Sequence, residues 1–173
     1  FVFNLRKPLF QDRRVRQAIA HGLDFEWSNK ALFHGMYKRS RSFFDNSELS
    51  ATGLPTGEEK EILERLKDKL PAEVLTTAFE PPATDGSGNI RGNLHKATKL
   101  LRDAGWRIDK KTRKLVNAKT GEPFTFEVLL ISPLFERIVL PFNKNLARLG
   151  IDVSVRTVDT AQYQERVTQF DYD

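Results

Sequence analysis

Cysteine is absent from all 173 residues, so disulfide scaffolds, thiolate metal sites, iron–sulfur clusters and cysteine nucleophiles are excluded together. Histidine is nearly as scarce. His21, His34 and His95 stand apart, with no pair at i, i+4, so no metal-ligating helix is encoded and no metal or other cofactor is expected. Long apolar runs are also missing. The longest stretches from Val128 to Ile131, against the ~20 apolar residues that a membrane-spanning helix needs. No G-x-S-x-G elbow is present to place a serine nucleophile. The stretch from Gly86 to Gly92 imitates a phosphate loop, but its third glycine comes one residue late and Pro81-Pro82 stand where a strand should precede it, so a mobile loop is the expectation.

Charge of one sign does not dominate. Lys and Arg total 28 against 23 Asp and Glu, a net charge of +5. Basic clusters occur at Arg13-Arg14-Arg16, Lys38-Arg39-Arg41 and Lys110-Lys111-Arg113, yet acidic residues interrupt most of them, as on solvated helix and turn faces. What is present is the composition of a folded domain, 39% hydrophobic and 29% charged. The first residues, Phe1 to Leu5, alternate like a strand and lack an initiator Met, and the sequence closes on Phe170-Asp171-Tyr172-Asp173 without a polar tail. That is the pattern expected of a segment cut from a longer chain.

Helix signals are clear at several points. Asp12 is placed to cap a helix buried through Val15, Ala18 and Ile19, and Asp24 a second one ending near Phe33 at Gly35. Residues 35–92 form a loop-rich excursion holding one helix, 57–70, with a Thr56/Glu59 capping box and an expected buried stripe of Ile62, Leu63, Leu66 and Leu70. Asn93 should cap the helix that buries Leu94, Ala97 and Leu101, and Gly105 and Gly150 should end helices in left-handed caps. Residues 106–116 and 124–131 suggest a small meander with a Thr120-Gly121 turn. The unbroken Val128-Leu129-Leu130-Ile131 predicts a parallel strand covered on both faces. Ser132-Pro133 then opens a helix with Phe135, Ile138, Val139, Phe142, Leu146 and Leu149 inward and a kink at Pro141, and 151–158 returns as a strand. Residues 124–158 therefore read as a βαβ unit. A last helix, capped by Asp159 or Thr160, carries Tyr163, Val167 and Phe170 toward a further strand.

Two regions offer ligand contacts. Ligands of open α/β sheets gather beyond the carboxyl ends of strands, which selects Ser132, Phe135 and Arg137. A hydroxyl and free N–H groups at a helix start suit a carboxylate or an amide carbonyl, although a plain N-cap explains Ser132 equally well. Tyr37, Phe43 and Phe44 stand off any periodic stripe, where aromatic side chains can wall a pocket rather than fill a core.

The segment FNLRKPLFQDRRVRQAI at 3–19 resembles the F-N-x-x-x-P-x-F-x-D-x-R-V-R-x-A-I signature of bacterial extracellular solute-binding proteins of family 5, the oligopeptide, dipeptide and nickel receptors of ABC importers. The resemblance continues in order through Asp24-Phe25-Glu26, Leu32-Phe33-His34-Gly35, the helix ending at Gly105-Trp106, Gly150-Ile151-Asp152-Val153, Tyr163-Gln164-Glu165-Arg166 and Phe170-Asp171-Tyr172. It implies an α/β fold, part of the second lobe of a type II periplasmic binding protein with a mixed sheet flanked by helices, with residues 1–173 forming one partial lobe. It also implies a receptor without catalysis that closes two lobes on an oligopeptide or peptide conjugate and delivers it to an ABC permease, in the periplasm or lipid-anchored on the outer face of the cytoplasmic membrane. The excursion and the 84–89 loop look most like the branch that takes longer oligopeptides and microcin C. The dipeptide branch places a base right after the strand equivalent to 124–131, whereas here the first is Arg137. The segment alone should be monomeric, bind peptide weakly or not at all, and bind no nucleic acid. Two other classes stay open on the residues alone: a basic α/β nucleic-acid module, which would show steep salt dependence, and a hydrolase, which would need coupled titrating groups.

Overall fold

The computed structural model describes residues 2–173 and divides the chain into two units, one built from the residues up to Gly35 together with Pro82–Asp173, the other Met36–Pro81. The larger unit starts without a strand. Residues 2–7 form turns and irregular backbone, so the expected strand is absent over the described residues, and Phe1 lies outside them.

Helix α1, Pro8–Gln11, opens with proline at its first position, and α2, Arg13–Ala20, follows after a break at Asp12. Asp12 caps α2 as expected, its carboxylate accepting from the Arg14 N–H at 2.8 Å. Asp24 does the same for α3, Phe25–Phe33, through the Trp27 N–H. His34, rather than Gly35 alone, turns the chain at the end of α3: its φ is 52°, and the Gly35 N–H reaches back to the Asn29 carbonyl.

Helix α6, Arg91–Asp103, buries Leu94, Ala97 and Leu101 against α2, and Arg14 ties the two by donating to the Asp103 carbonyl at 2.7 Å. Asn93 is not its cap. It lies inside the helix, buried, and its amide donates to the Ala83 carbonyl. Gly105, at φ 88°, ends α6 in the left-handed turn expected of it. Strands β1, Trp106–Ile108, and β2, Leu115–Asn117, then pair as an antiparallel hairpin whose turn is knit by Asp109, so that the expected long strand 106–116 folds back on itself. The hairpin joins the segment before the next strand through an isolated bridge between Val116 and Pro123, with the Phe124 N–H on the Leu115 carbonyl at 2.8 Å, rather than through a continuous meander.

Strand β3, Thr125–Leu130, helix α7, Glu136–Ala147, and strand β4, Asp152–Thr157, make the parallel βαβ unit, with Phe126 opposite Val153 and Val128 opposite Val155. Burial on both faces of β3 is not what forms. Phe126, Val128 and Leu130 are buried, while Glu127 and Leu129 are half-buried, because the second face carries ion pairs instead of a helix packed flush upon it. The α/β class therefore rests on two small sheets of opposite sense. Helix α7 continues through Pro141 without a break and buries Val139, Phe142 and Leu146; Phe135 sits before it in a 3-10 turn and is exposed, not inward. At its far end Gly150, φ 79°, lets the Ile151 N–H bond the Leu146 carbonyl, the six-to-one contact of a Schellman ending. The Gly150 carbonyl accepts from the Leu115 N–H at 2.8 Å, and a Cβ at 150 would stand 2.7 Å from that nitrogen.

Helix α8, Thr160–Thr168, is capped by Asp159. Phe170 is not part of it: at φ 56° it is the left-handed residue that ends the helix, with the Asp171 N–H on the Arg166 carbonyl. Asn4, 3% exposed, fastens this ending. Its amide donates to the carbonyls of Phe170 and Tyr172, both at 2.9 Å, while the Arg6 guanidinium lies 3.4 Å over the Phe170 ring.

The second unit holds α4, Gly57–Arg65, a 3-10 turn at Lys67–Lys69, and α5, Glu73–Thr76. Helix α4 is shorter than the expected 57–70, and the Thr56 side chain makes no capping bond. Its stripe is not buried: Ile62 is 44% and Leu66 42% exposed, and Leu63 and Leu70 are half-buried.

Candidate ligand-binding site

The turn from β3 into α7 carries Ser132, Phe135 and Arg137. Ser132 is half-buried and its hydroxyl accepts from the Leu134 N–H at 3.3 Å, so the capping role is realised. Phe135 next to it is 48% exposed. Arg137 is exposed, and its guanidinium stands 4.7 Å from the centroid of the Phe33 ring, a cation–π contact within the larger unit. The three residues thus lie within one turn and a half of chain, with an apolar surface beside one base.

In the smaller unit, Tyr37 is 57%, Phe43 97% and Phe44 53% exposed. Phe43 and Phe44 meet edge to face, with centroids 5.4 Å apart. The loop that presents them is knit from within. The Asp45 carboxylate accepts from the Arg41 and Ser42 N–H groups and the Ser50 hydroxyl, and the Arg41 contact leads in holding its pKa below the usual carboxylate value. The Ser42 hydroxyl accepts from the Phe44 and Ala51 N–H groups. The loop's backbone is held by its own hydrogen bonds, and it presents two apolar rings to solvent.

The loop at 82–90 proves to be pinned. Thr84 donates its hydroxyl to Asp24 Oδ1 at 2.6 Å and its N–H to Glu26 at 3.0 Å, and Gly86 lies against the Glu26 backbone. This lock belongs to the larger unit and follows from no phosphate chemistry.

One concave feature escaped the sequence. A polar cavity of about 370 Å³ is lined by Glu127 of β3, Arg156 of β4, and Gln162, Glu165, Arg166 and Gln169 with Asp171 at the end of α8. Arg166 bridges Glu127 and Asp171, both at 2.9 Å, and Arg156 adds a second base to Glu127 at 3.2 Å. Burial works against the charge of Arg166, but the two carboxylates outweigh it and raise its pKa above the ordinary arginine value. The one signal for this site was Glu127, a lone charge inside an apolar strand. Among the described residues, no group of three or more His, Cys, Asp or Glu is arranged to hold a metal ion, and no helix is long and apolar enough to cross a membrane.

Comparison with solved structures defines the class. NikA from Brucella suis, solved with Fe(III)-EDTA, superimposes at a TM-score of 0.65 and 20% identity over 98% of this chain and 28% of its own, so the fold is that of part of a periplasmic binding protein. The family model described as bacterial extracellular solute-binding proteins, family 5 Middle, matches residues 1–173, and the chain belongs to that family. YejA of Escherichia coli, an uncharacterised protein, is 46% identical over 171 residues, covering 99% of this chain and 28% of the relative. A probable peptide-binding protein YejA of Agrobacterium fabrum is 42% identical over 173 residues, 100% of this chain and again 28% of the relative. The chain therefore spans about a quarter of the length of these relatives.

Proposed function

We propose that this chain is one partial lobe, the second, of a two-lobed receptor of an ABC importer that captures peptide-like solutes without chemical change and presents them to a membrane permease. The observation that carries this reading is the family match across the whole chain, together with a 42% identical relative described as probably peptide-binding. In the complete receptor, Tyr37, Phe43 and Phe44 would supply apolar contacts to ligand side chains, and Ser132, Phe135 and Arg137 a separate set at the strand end. Exposed aromatic rings favour the first set, because burying apolar surface yields roughly 25 cal/mol per Å². Arg137 would leave Phe33 to reach a carboxylate, or hold it across the ring. The receptor works in the periplasm, or on the outer face of the cytoplasmic membrane where lipid-anchored.

The test is to purify the complete receptor, identify copurifying molecules by mass spectrometry, and titrate them back calorimetrically. Tight binding of a peptide or peptide conjugate by the complete receptor, with none by the isolated monomeric 173-residue chain, is the expected result. Ligands with no peptide character would overturn the substrate class, and tight binding by the isolated chain would overturn the partial-lobe reading.

A further inference from the structure

The basic cluster Lys110-Lys111-Arg113 takes a definite place once the chain folds. Residues 107–114, which lead from β1 into β2, hold Arg107, Lys110, Lys111, Arg113 and Lys114 against Asp109 alone, which is +4 of the chain's +5. The loop is tight. The Asp109 N–H donates to the Lys114 carbonyl at 2.8 Å and the Arg113 N–H to the Asp109 carbonyl at 2.9 Å, so four of the five bases share one six-residue turn. Its single acid is turned inward: the Asp109 carboxylate accepts from the Lys111 N–H at 3.0 Å, the Thr112 N–H at 2.8 Å and the Thr112 hydroxyl at 3.0 Å. All five bases are exposed. Lys114 pairs with Asp152 at 2.7 Å, whereas Arg107, Lys110, Lys111 and Arg113 enter no ion pair among the described residues. Arg113 stands at φ 60°, a left-handed position that glycine or asparagine would take at less cost. A Cβ at Gly150 would lie 3.0 Å from the Arg113 carbonyl, so Arg148, two residues before it, brings a further exposed base near the loop.

We propose that this hairpin tip is a membrane-contact surface, which holds the receptor electrostatically against anionic lipid headgroups. A bilayer of such lipids offers a diffuse sheet of negative charge that a basic loop meets tip-first, without matched shape, at a gain that grows with each Lys or Arg brought to it. The residue types select this occupant. Protein interfaces are rich in aromatic residues, Met and Arg and poor in Lys, whereas three of the four bases in the turn are Lys and the exposed apolar residue of its strands is Ile108, at 43%. A nucleic-acid surface spreads its bases along a face or a helix and adds aromatic rings for single strands; here the bases gather at one tip, and the turn holds no ring. The inference rests on where these bases stand and not on which solute is carried.

The experiment sediments the complete receptor, prepared without lipid modification, with vesicles of phosphatidylglycerol and phosphatidylcholine in equal parts, and with phosphatidylcholine alone. Binding should need the anionic lipid and vanish at about 0.5 M salt, where exposed charges are screened within a few Å. Lys110→Gln with Lys111→Gln should weaken it at least about tenfold, since each base near such a surface contributes roughly a factor of five. Lys67→Gln with Lys69→Gln removes the same charge from the other unit and should leave binding within about twofold. Both pairs are exposed, and an unchanged thermal midpoint shows that each variant keeps its fold. Arg113→Gly, which suits the left-handed position, supplies a further variant and should weaken binding about fivefold without loss of stability. No binding to the anionic vesicles, equal binding to both lipids, binding that survives the salt, or equal loss from the two lysine pairs would overturn the proposal. So would tighter binding to duplex DNA than to vesicles at the same phosphate concentration, which makes this a nucleic-acid surface, or release by inorganic phosphate at constant ionic strength, which makes it a site for a single anion.

Discussion

The two units both carry helices with an apolar stripe and reach opposite outcomes. In the larger one, Phe10, Val15, Ile19, Leu94, Leu101, Val139 and Leu146 from four helices and Phe124 from the connection before β3 converge on one core, each at most 8% exposed. In the smaller one, Ile62 inside α4 and Leu66 just past its end meet water. Periodicity therefore states which side of a helix is built for burial, while the partner that buries it is a property of the whole molecule.

Four perturbations test that contrast. Phe124→Ala should cost about 3–5 kcal/mol of stability, since the ring is 1% exposed and packs on Trp106 with centroids 4.5 Å apart. Urea unfolding showing less than about 1 kcal/mol would mean the larger unit has no decisive core. Asn4→Ala should cost about 2 kcal/mol by stranding the Phe170 and Tyr172 carbonyls, and should lower the thermal midpoint.

Asp12→Ala should cost about 1 kcal/mol as a lost N-cap, while Asp12→Asn should keep most of the cap and remove its titration. The Arg14 hydrogen bond leads in depressing the Asp12 pKa, so its contribution is present above the unfolded carboxylate pKa and disappears as pH falls through the lower folded value. Acid unfolding should accordingly be less steep in the Asp12→Asn chain, and an unchanged acid limb would remove Asp12 from the account. Smallest of all, Phe43→Ala with Phe44→Ala should shift stability by no more than about 0.5 kcal/mol. The same pair should weaken ligand binding by the complete receptor about tenfold. Unchanged affinity would take the aromatic loop out of the proposed site.

Caps were legible because their signals are local. Asp12, Asp24, Ser132 and Asp159 each satisfy an N–H two or three residues away, and Gly105 and Gly150 supply a backbone shape that side chains resist. Phe170 adopts that shape without being glycine. Asn4, 166 residues earlier, helps to hold it there, and no window of sequence contains both. Asn93 misled for the same reason: its partner is a loop carbonyl ten residues back, where a cap would have bonded forward. Of the candidate site, the aromatic pair stood out by falling off the helical stripe. The polar cavity did not, since Glu127, Arg156 and Arg166 come from three elements that only the fold brings together.

Gly150 has a mechanical side. Its carbonyl fastens the hairpin to the end of the crossover helix at 2.8 Å, and the absence of a side chain leaves no slack between them. A single methyl group at that joint would press on the Leu115 nitrogen and the Arg113 carbonyl oxygen, so the hairpin and the turn into β4 would have to part to admit it.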